Sequence, residues 1–234
     1  MIGAMILAAG RGERMRPLSD TTPKPLLRVG GKPLIVWQIE ALVRAGLTDI
    51  VVNASHLGAE LAAALGDGRA FGARIELSRE STPLEVAGGI ATALPLLPAG
   101  PAIVVSGDVW SAFDVASLLP RAHAMARDAT AARAHLVMVP NPPYNAAGDF
   151  VLRAGKLFAE GGATLTFGNI AIYDTALFAD LPRGVKSKML PLFKAWIAQG
   201  IASGERYDGP WANVGTPADL TALDTYLARA TFTI

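Results

Sequence analysis

An apolar run near the start of the sequence ends abruptly in Gly10-Arg11-Gly12. The run covers residues 4–9, has the length of a strand and shows no polar alternation, which is typical of a strand buried on both faces. Glycines after it let the backbone turn tightly, and successive N–H groups in such a turn form a concavity that attracts anions. Arg14 and Lys24 add two cations close by in the chain. Together these features predict a polyphosphate-binding loop at the end of a buried strand.

The spacing of this loop differs from two common phosphate-binding motifs. A dinucleotide fingerprint needs a third glycine, whereas Met15 stands at that place. A P-loop needs a following Gly-Lys-Ser/Thr, which does not occur here. An oxidoreductase of the Rossmann type is therefore a distant alternative.

Apolar strand patterns alternate with helical patterns along the chain, which predicts an α/β fold. We expect a three-layer α/β/α sandwich with a Rossmann-like, mainly parallel sheet, formed by a single domain over residues 1–234. The predicted strands cover residues 4–9, 49–53, 75–78, 102–106, 134–139 and 164–173, with a hairpin of 149–152 and 156–158. The predicted helices cover residues 33–45, 60–65, 88–97, 115–127, 189–199 and 218–230.

Composition argues against several classes of function. The sequence is 51% hydrophobic and 18% charged, which suits a folded core. Lys and Arg number 21 against 20 Asp and Glu, so no basic excess indicates a nucleic-acid or membrane-surface partner. Cysteine is absent and the three histidines are scattered, which argues against thiolate and zinc sites. No apolar run reaches membrane-spanning length and no signal leader is recognisable, so we expect a cytoplasmic protein. The oligomeric state is left open as a monomer or a small homo-oligomer.

Asp108 follows a strongly β-branched predicted strand at residues 102–106. Ligands of open α/β sheets bind beyond the carboxyl ends of the strands, so Asp108 should project toward the loop at residues 10–14. A carboxylate beside phosphates would repel them unless Mg²⁺ lies between the two. We therefore predict Asp108 as a magnesium ligand. The alternative is a helix N-cap, for which Asp114 is better placed.

A second oxygen ligand is predicted at Asn213, within Trp211-Ala212-Asn213-Val214-Gly215-Thr216. Its amide oxygen can coordinate Mg²⁺ but brings no charge, so metal binding would depend more on the substrate phosphates. The simpler alternative is a strand and a turn in which Thr216 caps a helix entered through Pro217. Both interpretations can hold together.

These segments resemble the nucleoside-triphosphate transferases that make nucleotide sugars. The family signature, Leu-x-x-Gly-x-Gly-x-Arg-(Leu/Met) followed by Lys-Pro-(Leu/Met), is matched by residues 7–15 and 24–26. The resemblance implies nucleotidylyl transfer to a sugar 1-phosphate with Mg²⁺ held by Asp108 and Asn213, although the family usually has aspartate where Asn213 stands. The implied catalytic residues are Arg14, Lys24 and Asp108. The implied nucleotide-binding residues are Leu7, Ala8, Ala9, Gly10, Gly12, Glu13, Arg14, Lys24, Glu85, Gly88 and Ser106.

The predicted base site lies in residues 85–90, Glu-Val-Ala-Gly-Gly-Ile. The family has a similar glycine pair, and glycines there would let a flat base lie against the backbone. The alternative is an ordinary helix start that contains glycine. Residues 1–110 would then bind the nucleotide, with Ser106 at the ribose, and residues 111–234 would bind the sugar phosphate.

The second half narrows the resemblance to members whose substrates are UTP and N-acetylmuramic acid 1-phosphate. The similarity lies in residues 107–110, 148–150, 164–167, 188–192 and 204–207 and extends over essentially the whole chain. It implies UDP-N-acetylmuramate as the product and a role in peptidoglycan recycling. The implied acceptor-binding residues are Lys188 at the sugar phosphate, and Asp149, Glu160 and Asn169 at hydroxyls or the N-acetyl group. Each could instead be a solvated surface residue, and no residue is identified for the lactyl carboxylate.

Two further interpretations stay open. The chain could use other substrates on the same scaffold, as a mannose-1-phosphate guanylyltransferase or another hexose-1-phosphate nucleotidylyltransferase. It could also be a catalytically silent, nucleotide-binding regulatory relative. Asn213 favours the silent relative, whereas the intact Arg14, Lys24 and Asp108 oppose it.

Overall fold

The structure, a computed structural model, describes residues 1–128 and 130–229. The strands are β1 (Gly3–Leu7), β2 (Arg28–Val29), β3 (Lys32–Pro33), β4 (Asp49–Ala54), β5 (Arg74–Arg79), β6 (Pro101–Ser106), β7 (Val109–Ser111), β8 (Ala134–Val139), β9 (Phe150–Arg153), β10 (Lys156–Phe158), β11 (Thr164–Asp174), β12 (Ala202–Arg206) and β13 (Trp211–Asn213). The helices are α1 (Leu34–Arg44), α2 (Gly58–Leu65), α3 (Glu85–Ala93), α4 (Leu119–Arg127), α5 (Met189–Ala198) and α6 (Pro217–Arg229). The helix predicted at 218–230 is present as α6, and its last predicted residue, Ala230, lies outside the described residues.

Nine strands form one sheet in the order β5-β4-β1-β6-β11-β8-β12-β10-β9. The strands β5, β4, β1 and β6 are parallel neighbours, and β8 and β12 form a further parallel pair. Strand β11 runs antiparallel to both β6 and β8 and so joins the two groups. The hairpin β9–β10 closes one edge of the sheet. This mixed, partly parallel sheet confirms the predicted α/β fold class.

Helices cover both faces of the sheet because successive residues of the central strands are apolar on both sides. On one face, α1, α2 and α4 pack against Ile6 and Val105. On the other face, α3 and α5 pack against Met5 and Val104. The arrangement gives the three predicted layers. Within the described residues, no helix combines the length and the apolar character needed to cross a bilayer.

A smaller apolar cluster fixes the loops at one end of the sheet. It joins Met15 from the loop after β1, Val29 from the β2–β3 hairpin, Trp110 from β7 and Leu223 from α6. Strands β7 and β13 form a two-stranded ladder of their own. As a result, the loop after β1 is held close to β7, β13 and α6.

The sequence predicts none of β2, β3, β7 and β12. Strands β2, β3 and β7 have two or three residues, which is too short for a periodic signal. Strand β12 carries polar residues, yet it lies inside the sheet between β8 and β10. Its burial therefore comes from its position in the sheet rather than from an apolar sequence.

A buried histidine links β8 and β12. His135 is fully buried, with Nδ1 2.8 Å from Ser203 Oγ and Nε2 3.3 Å from Glu205 Oε2. Burial lowers the pKa of His135, and the hydrogen bond with Glu205 acts in the opposite direction. The same hydrogen bond lowers the pKa of Glu205. The folded state therefore favours the neutral imidazole.

The lowered pKa of His135 predicts acid-sensitive stability. The unfolded chain takes up a proton at His135 near pH 6.5, whereas the folded chain does so only at lower pH. The free energy of unfolding should therefore fall below that pH, with a slope of up to about 1.4 kcal/mol per pH unit. Urea unfolding between about pH 7 and about pH 5 measures the slope above the range in which Glu205 titrates. His135→Gln should flatten it, whereas His123→Gln, at an exposed position, should keep it; an equal slope in both variants would contradict this assignment.

Candidate active site

The turn after β1 has the geometry expected of a ligand-binding loop. Gly12 has a φ of 63°, a left-handed conformation that glycine adopts without strain. A Cβ at Gly12 would lie 3.0 Å from Lys24 Cβ, so glycine also lets Lys24 approach the loop. Ser19 Oγ donates a hydrogen bond to Gly12 O at 2.7 Å. The turn is therefore held in place by its own backbone geometry and by its neighbours.

Lys24 and Asp108 form an ion pair in which Nζ lies 2.5 Å from Oδ2. The lysine side chain is 10% exposed and the aspartate side chain 32%. Asp108 reaches this place because Gly107 N–H donates to Leu7 O at 2.8 Å, which joins the end of β6 to the end of β1. The structure thus puts Asp108 against the loop after β1, as the sequence predicts.

Arg14 lies against the turn between β13 and α6. A Cβ at Gly215 would be 3.2 Å from Arg14 Nη2 and 3.4 Å from Asp219 Oδ2. Asp219 accepts hydrogen bonds from the N–H groups of Gly215 and Thr216, and Thr216 Oγ1 accepts one from Asp219 N–H. The predicted cap of α6 by Thr216 is therefore present, and it shares its space with the Arg14 guanidinium.

Asn213 lies next to Asp108 across the β7–β13 ladder. Asn213 pairs with Val109, and Val214 N–H donates to Asp108 O at 2.9 Å. Burial raises the pKa of the nearby Tyr144 hydroxyl, and the Asn213 amide partly offsets this effect. Both interpretations of this segment made from the sequence, a strand with a helix cap and a residue brought to Asp108, therefore agree with the fold.

The oxygen atoms of Asp108 and Asn213 suit a magnesium ion that takes its other ligands from a substrate. Over residues 1–128 and 130–229, no three His, Cys, Asp or Glu side chains cluster so that they could hold a metal by themselves. Mg²⁺ commonly uses one or two protein carboxylates together with substrate phosphates and water. The donor set fits that mode of binding, and the predicted metal site stays a prediction.

A groove of about 780 Å³ opens at the carboxyl ends of β1, β4, β5 and β6. The predicted residues that line it are Leu7, Ala9, Gly10, Glu13, Glu85, Ser106 and Asp108. Further residues that line it are Arg11, Asn53, Glu80, Val86 and Lys186. The predicted residues Ala8, Gly12, Arg14 and Lys24 belong to the loops just described, next to the lining residues.

A buried polar chain behind the groove is not predicted from the sequence. Asn53 Oδ1 accepts a hydrogen bond from Ala8 N–H at 2.6 Å, and Asn53 Nδ2 donates to Glu80 Oε1 at 2.7 Å. Glu80 Oε2 accepts from Leu84 N–H at 3.0 Å. Burial raises the pKa of Glu80, and these hydrogen bonds oppose the rise. Both residues stand at the ends of parallel strands, so the rule that indicates Asp108 would also have indicated them.

The glycine pair of α3 packs closely against other parts of the protein. A Cβ at Gly88 would lie 2.4 Å from Val185 O, and one at Gly89 would lie 2.7 Å from Asn53 Nδ2. A side chain at either glycine would therefore collide with the segment before α5 or with Asn53. The predicted role of these glycines at the base stays a prediction. Glu85, with a φ of 62° at the start of α3, does line the groove.

Of the four predicted acceptor-binding residues, Asn169 lines a pocket beside the groove. It has a φ of 58° at the bulge of β11 and lines an inner pocket of about 100 Å³. Asp149 accepts hydrogen bonds from Phe167 N–H at 2.8 Å and from Asn145 Nδ2 at 3.1 Å, so both carboxylate oxygens are engaged within the protein. Asp149 is exposed, and its contact with the acceptor stays a prediction. The other two are exposed and line neither the groove nor the inner pocket: Glu160 and Lys188.

A glycine turn, two cations and a carboxylate lie together at the carboxyl ends of parallel strands. This arrangement is typical of α/β proteins that bind phosphorylated ligands. Comparison with family models narrows that class. Residues 3–145 match the nucleotidyl transferase family, and the chain belongs to it. It is a nucleotidyltransferase, which confirms the family predicted from the sequence.

Two relatives resemble the chain over nearly its whole length. N-acetylmuramate alpha-1-phosphate uridylyltransferase of Neisseria meningitidis is 46% identical over 217 residues, which cover 91% of this chain and 93% of that protein. The protein of the same name from Caulobacter vibrioides is 36% identical over 239 residues, which cover 97% of each. A crystal structure of a Bacillus anthracis protein assigned as a glucose-1-phosphate thymidylyltransferase superposes with a TM-score of 0.86 at 18% identity, covering 100% of this chain and 98% of that one. The last comparison supports the fold.

Proposed function

We propose that this chain converts UTP and N-acetyl-α-muramate 1-phosphate into UDP-N-acetylmuramate and diphosphate. The proposal rests on the similarity to two proteins that are named N-acetylmuramate alpha-1-phosphate uridylyltransferase. They are 46% and 36% identical to this chain over more than nine-tenths of each chain. A place in peptidoglycan recycling in the cytoplasm, expected from the sequence, is part of the proposal.

The reaction is an in-line exchange at the α-phosphorus of UTP. An oxygen of the sugar 1-phosphate forms the new P–O bond, the bond to the oxygen that bridges to the β-phosphate breaks, and pyrophosphate leaves with the electron pair. Since the attacking group is already an anion, no strong general base is required. The barrier comes from bringing two polyanions together and from the charge that develops on pyrophosphate. Positioned positive charge and backbone N–H groups should therefore supply most of the rate.

The loop after β1 and Lys24 would provide these groups. Backbone N–H groups of residues 10–12 and the Arg14 guanidinium would hold the β- and γ-phosphates. Lys24, which Asp108 holds in place, would neutralise charge at the α-phosphate. Asp108 and Asn213 would hold Mg²⁺, which when bound offsets the negative charge of the phosphates.

Asn213→Asp should strengthen magnesium binding. The change adds a carboxylate beside Asp108 and should lower the Mg²⁺ concentration for half-maximal turnover by about tenfold, equivalent to about 1.4 kcal/mol of added attraction. Titration of Mn²⁺ into the protein with a non-hydrolysable UTP analogue, followed by electron paramagnetic resonance, measures binding without turnover. Gln199→Glu adds the same charge at an exposed site after α5 and should change neither quantity. An unaltered metal affinity in Asn213→Asp would remove residue 213 from the metal site.

A competition assay tests the proposed substrate. The protein is given UTP, Mg²⁺ and equal amounts of N-acetylmuramic acid 1-phosphate, N-acetylglucosamine 1-phosphate and glucose 1-phosphate, and the nucleotide sugars are identified by mass spectrometry. UDP-N-acetylmuramate should dominate. If another UDP-sugar is the main product, the proposed acceptor is wrong. If the protein binds nucleotide but forms no product, the interpretation as a silent regulatory relative is favoured.

A further inference from the structure

We propose that Lys186 binds the lactyl carboxylate of the acceptor, an assignment that rests on the proposed function. This carboxylate is the group that distinguishes N-acetylmuramic acid 1-phosphate from N-acetylglucosamine 1-phosphate. A carboxylate that leaves water for a protein groove needs a cationic hydrogen-bond donor to offset the loss of hydration. The motifs in the sequence do not identify that donor.

Few cationic side chains are available in the groove to bind the lactyl carboxylate. Among the described residues that line it, Arg11 and Lys186 carry positive charge. Arg11 belongs to the loop that the mechanism assigns to the triphosphate. Lys24 is engaged by Asp108, and Arg14 lies against the cap of α6. Lys186 is therefore the cation left for a second anionic group.

The shape of the site places the acceptor carboxylate near Lys186. Val86 lines both the groove and the inner pocket, and its neighbour Glu85 is the ion-pair partner of Lys186. The inner pocket has a volume of about 100 Å³ and mainly apolar walls, so it is too small for a hexosamine ring with a lactyl substituent. In this proposal the charged parts of the acceptor lie in the outer groove, which Lys186 lines.

The backbone at Lys186 is fixed, whereas its side chain can change partners. Ser187 N–H donates to Leu84 O at 2.9 Å, and Gly88 N–H donates to Ser187 O at 3.2 Å. The Lys186 ammonium lies 3.6 Å from Glu85 Oε1, with the lysine side chain 65% exposed. So exposed an ion pair contributes little to stability. An incoming carboxylate can therefore replace Glu85 as the partner of Lys186.

Lys186→Met removes the charge and keeps most of the side-chain volume. For N-acetylmuramic acid 1-phosphate, kcat/KM should fall by up to about fivefold, mainly through KM, which is the range for an ion pair at an exposed side chain. For N-acetylglucosamine 1-phosphate, kcat/KM should fall by a smaller factor or stay unchanged, so the preference between the two acceptors should narrow. Lys186→Arg keeps the positive charge and should keep the preference for N-acetylmuramic acid 1-phosphate. Lys194→Met, at an exposed position on α5, should leave kcat/KM for both acceptors unchanged.

Binding of the two acceptors in the presence of a non-reactive UTP analogue gives the same comparison without turnover. An equal loss for both acceptors, or a preference that survives in Lys186→Met, would overturn the assignment. If the unaltered protein turns over another sugar phosphate but not N-acetylmuramic acid 1-phosphate, the proposed function is wrong, and so is the role assigned to Lys186. That result is visible before any variant is made.

Discussion

Asp108→Asn should slow pyrophosphate release by about 10²–10³-fold, the effect of losing one preorganised electrostatic contact. Asparagine keeps the size of the side chain and can still accept the hydrogen bond from Lys24. What disappears is the carboxylate charge, and the neighbouring Asn213 amide cannot replace it. Alanine is a poorer choice, because it would leave the mostly buried Lys24 ammonium without this partner.

Initial rates at saturating Mg²⁺ and substrates measure the loss, and thermal unfolding shows whether the variant is folded. Asp114→Asn is the matched control, since Asp114 accepts a hydrogen bond from Ala116 N–H at the start of the next turn and asparagine caps equally well. It should keep full activity. A folded Asp108→Asn protein with a rate near that of the unaltered chain would remove Asp108 from the reaction.

Lys24→Met should also reduce turnover by about 10²–10³-fold. Methionine can occupy the space of the lysine stem, and Asp108 is 32% exposed and so keeps contact with water, which should preserve the fold. In the proposed mechanism the backbone N–H groups of the loop after β1 would still bind the nucleotide, so the loss should fall mainly on kcat rather than on the KM for UTP.

The Lys24 and Asp108 variants should not be additive, because the two side chains contact each other. The double variant should lose less activity than the product of the two single losses. Lys156→Met, at an exposed position on β10, serves as the control and should behave as the unaltered chain. Strict additivity of the two losses would show that the pair does not act as a unit in catalysis.

The fold class and the tight turn after β1 could be predicted because both follow from local sequence patterns. The apolar runs of β1, β4 and β6 indicate buried parallel strands, and the end of β6 then indicates Asp108. The left-handed turn at Gly12 requires a residue without a side chain, which the sequence shows directly.

Contacts between distant segments could not be predicted in this way. Gly88 is a glycine because Val185 O approaches it, and nothing near residue 88 shows that. The Asp149 carboxylate accepts a hydrogen bond from Phe167 N–H at the bulge of β11, whose position depends on the whole sheet. Lys186 lines the groove because the backbone of its neighbour Ser187 is hydrogen-bonded to Leu84 and Gly88.

Pyrophosphate release by the unaltered protein, measured with Mg²⁺ and two pairs of substrates, tests the proposed reaction most directly. One pair is UTP with N-acetylmuramic acid 1-phosphate, and the other is GTP with mannose 1-phosphate. Release with the first pair alone is the predicted result. Release with the second pair alone would keep the nucleotidylyl chemistry and contradict the substrates, whereas no release with either pair from folded, nucleotide-binding protein would contradict the proposed reaction.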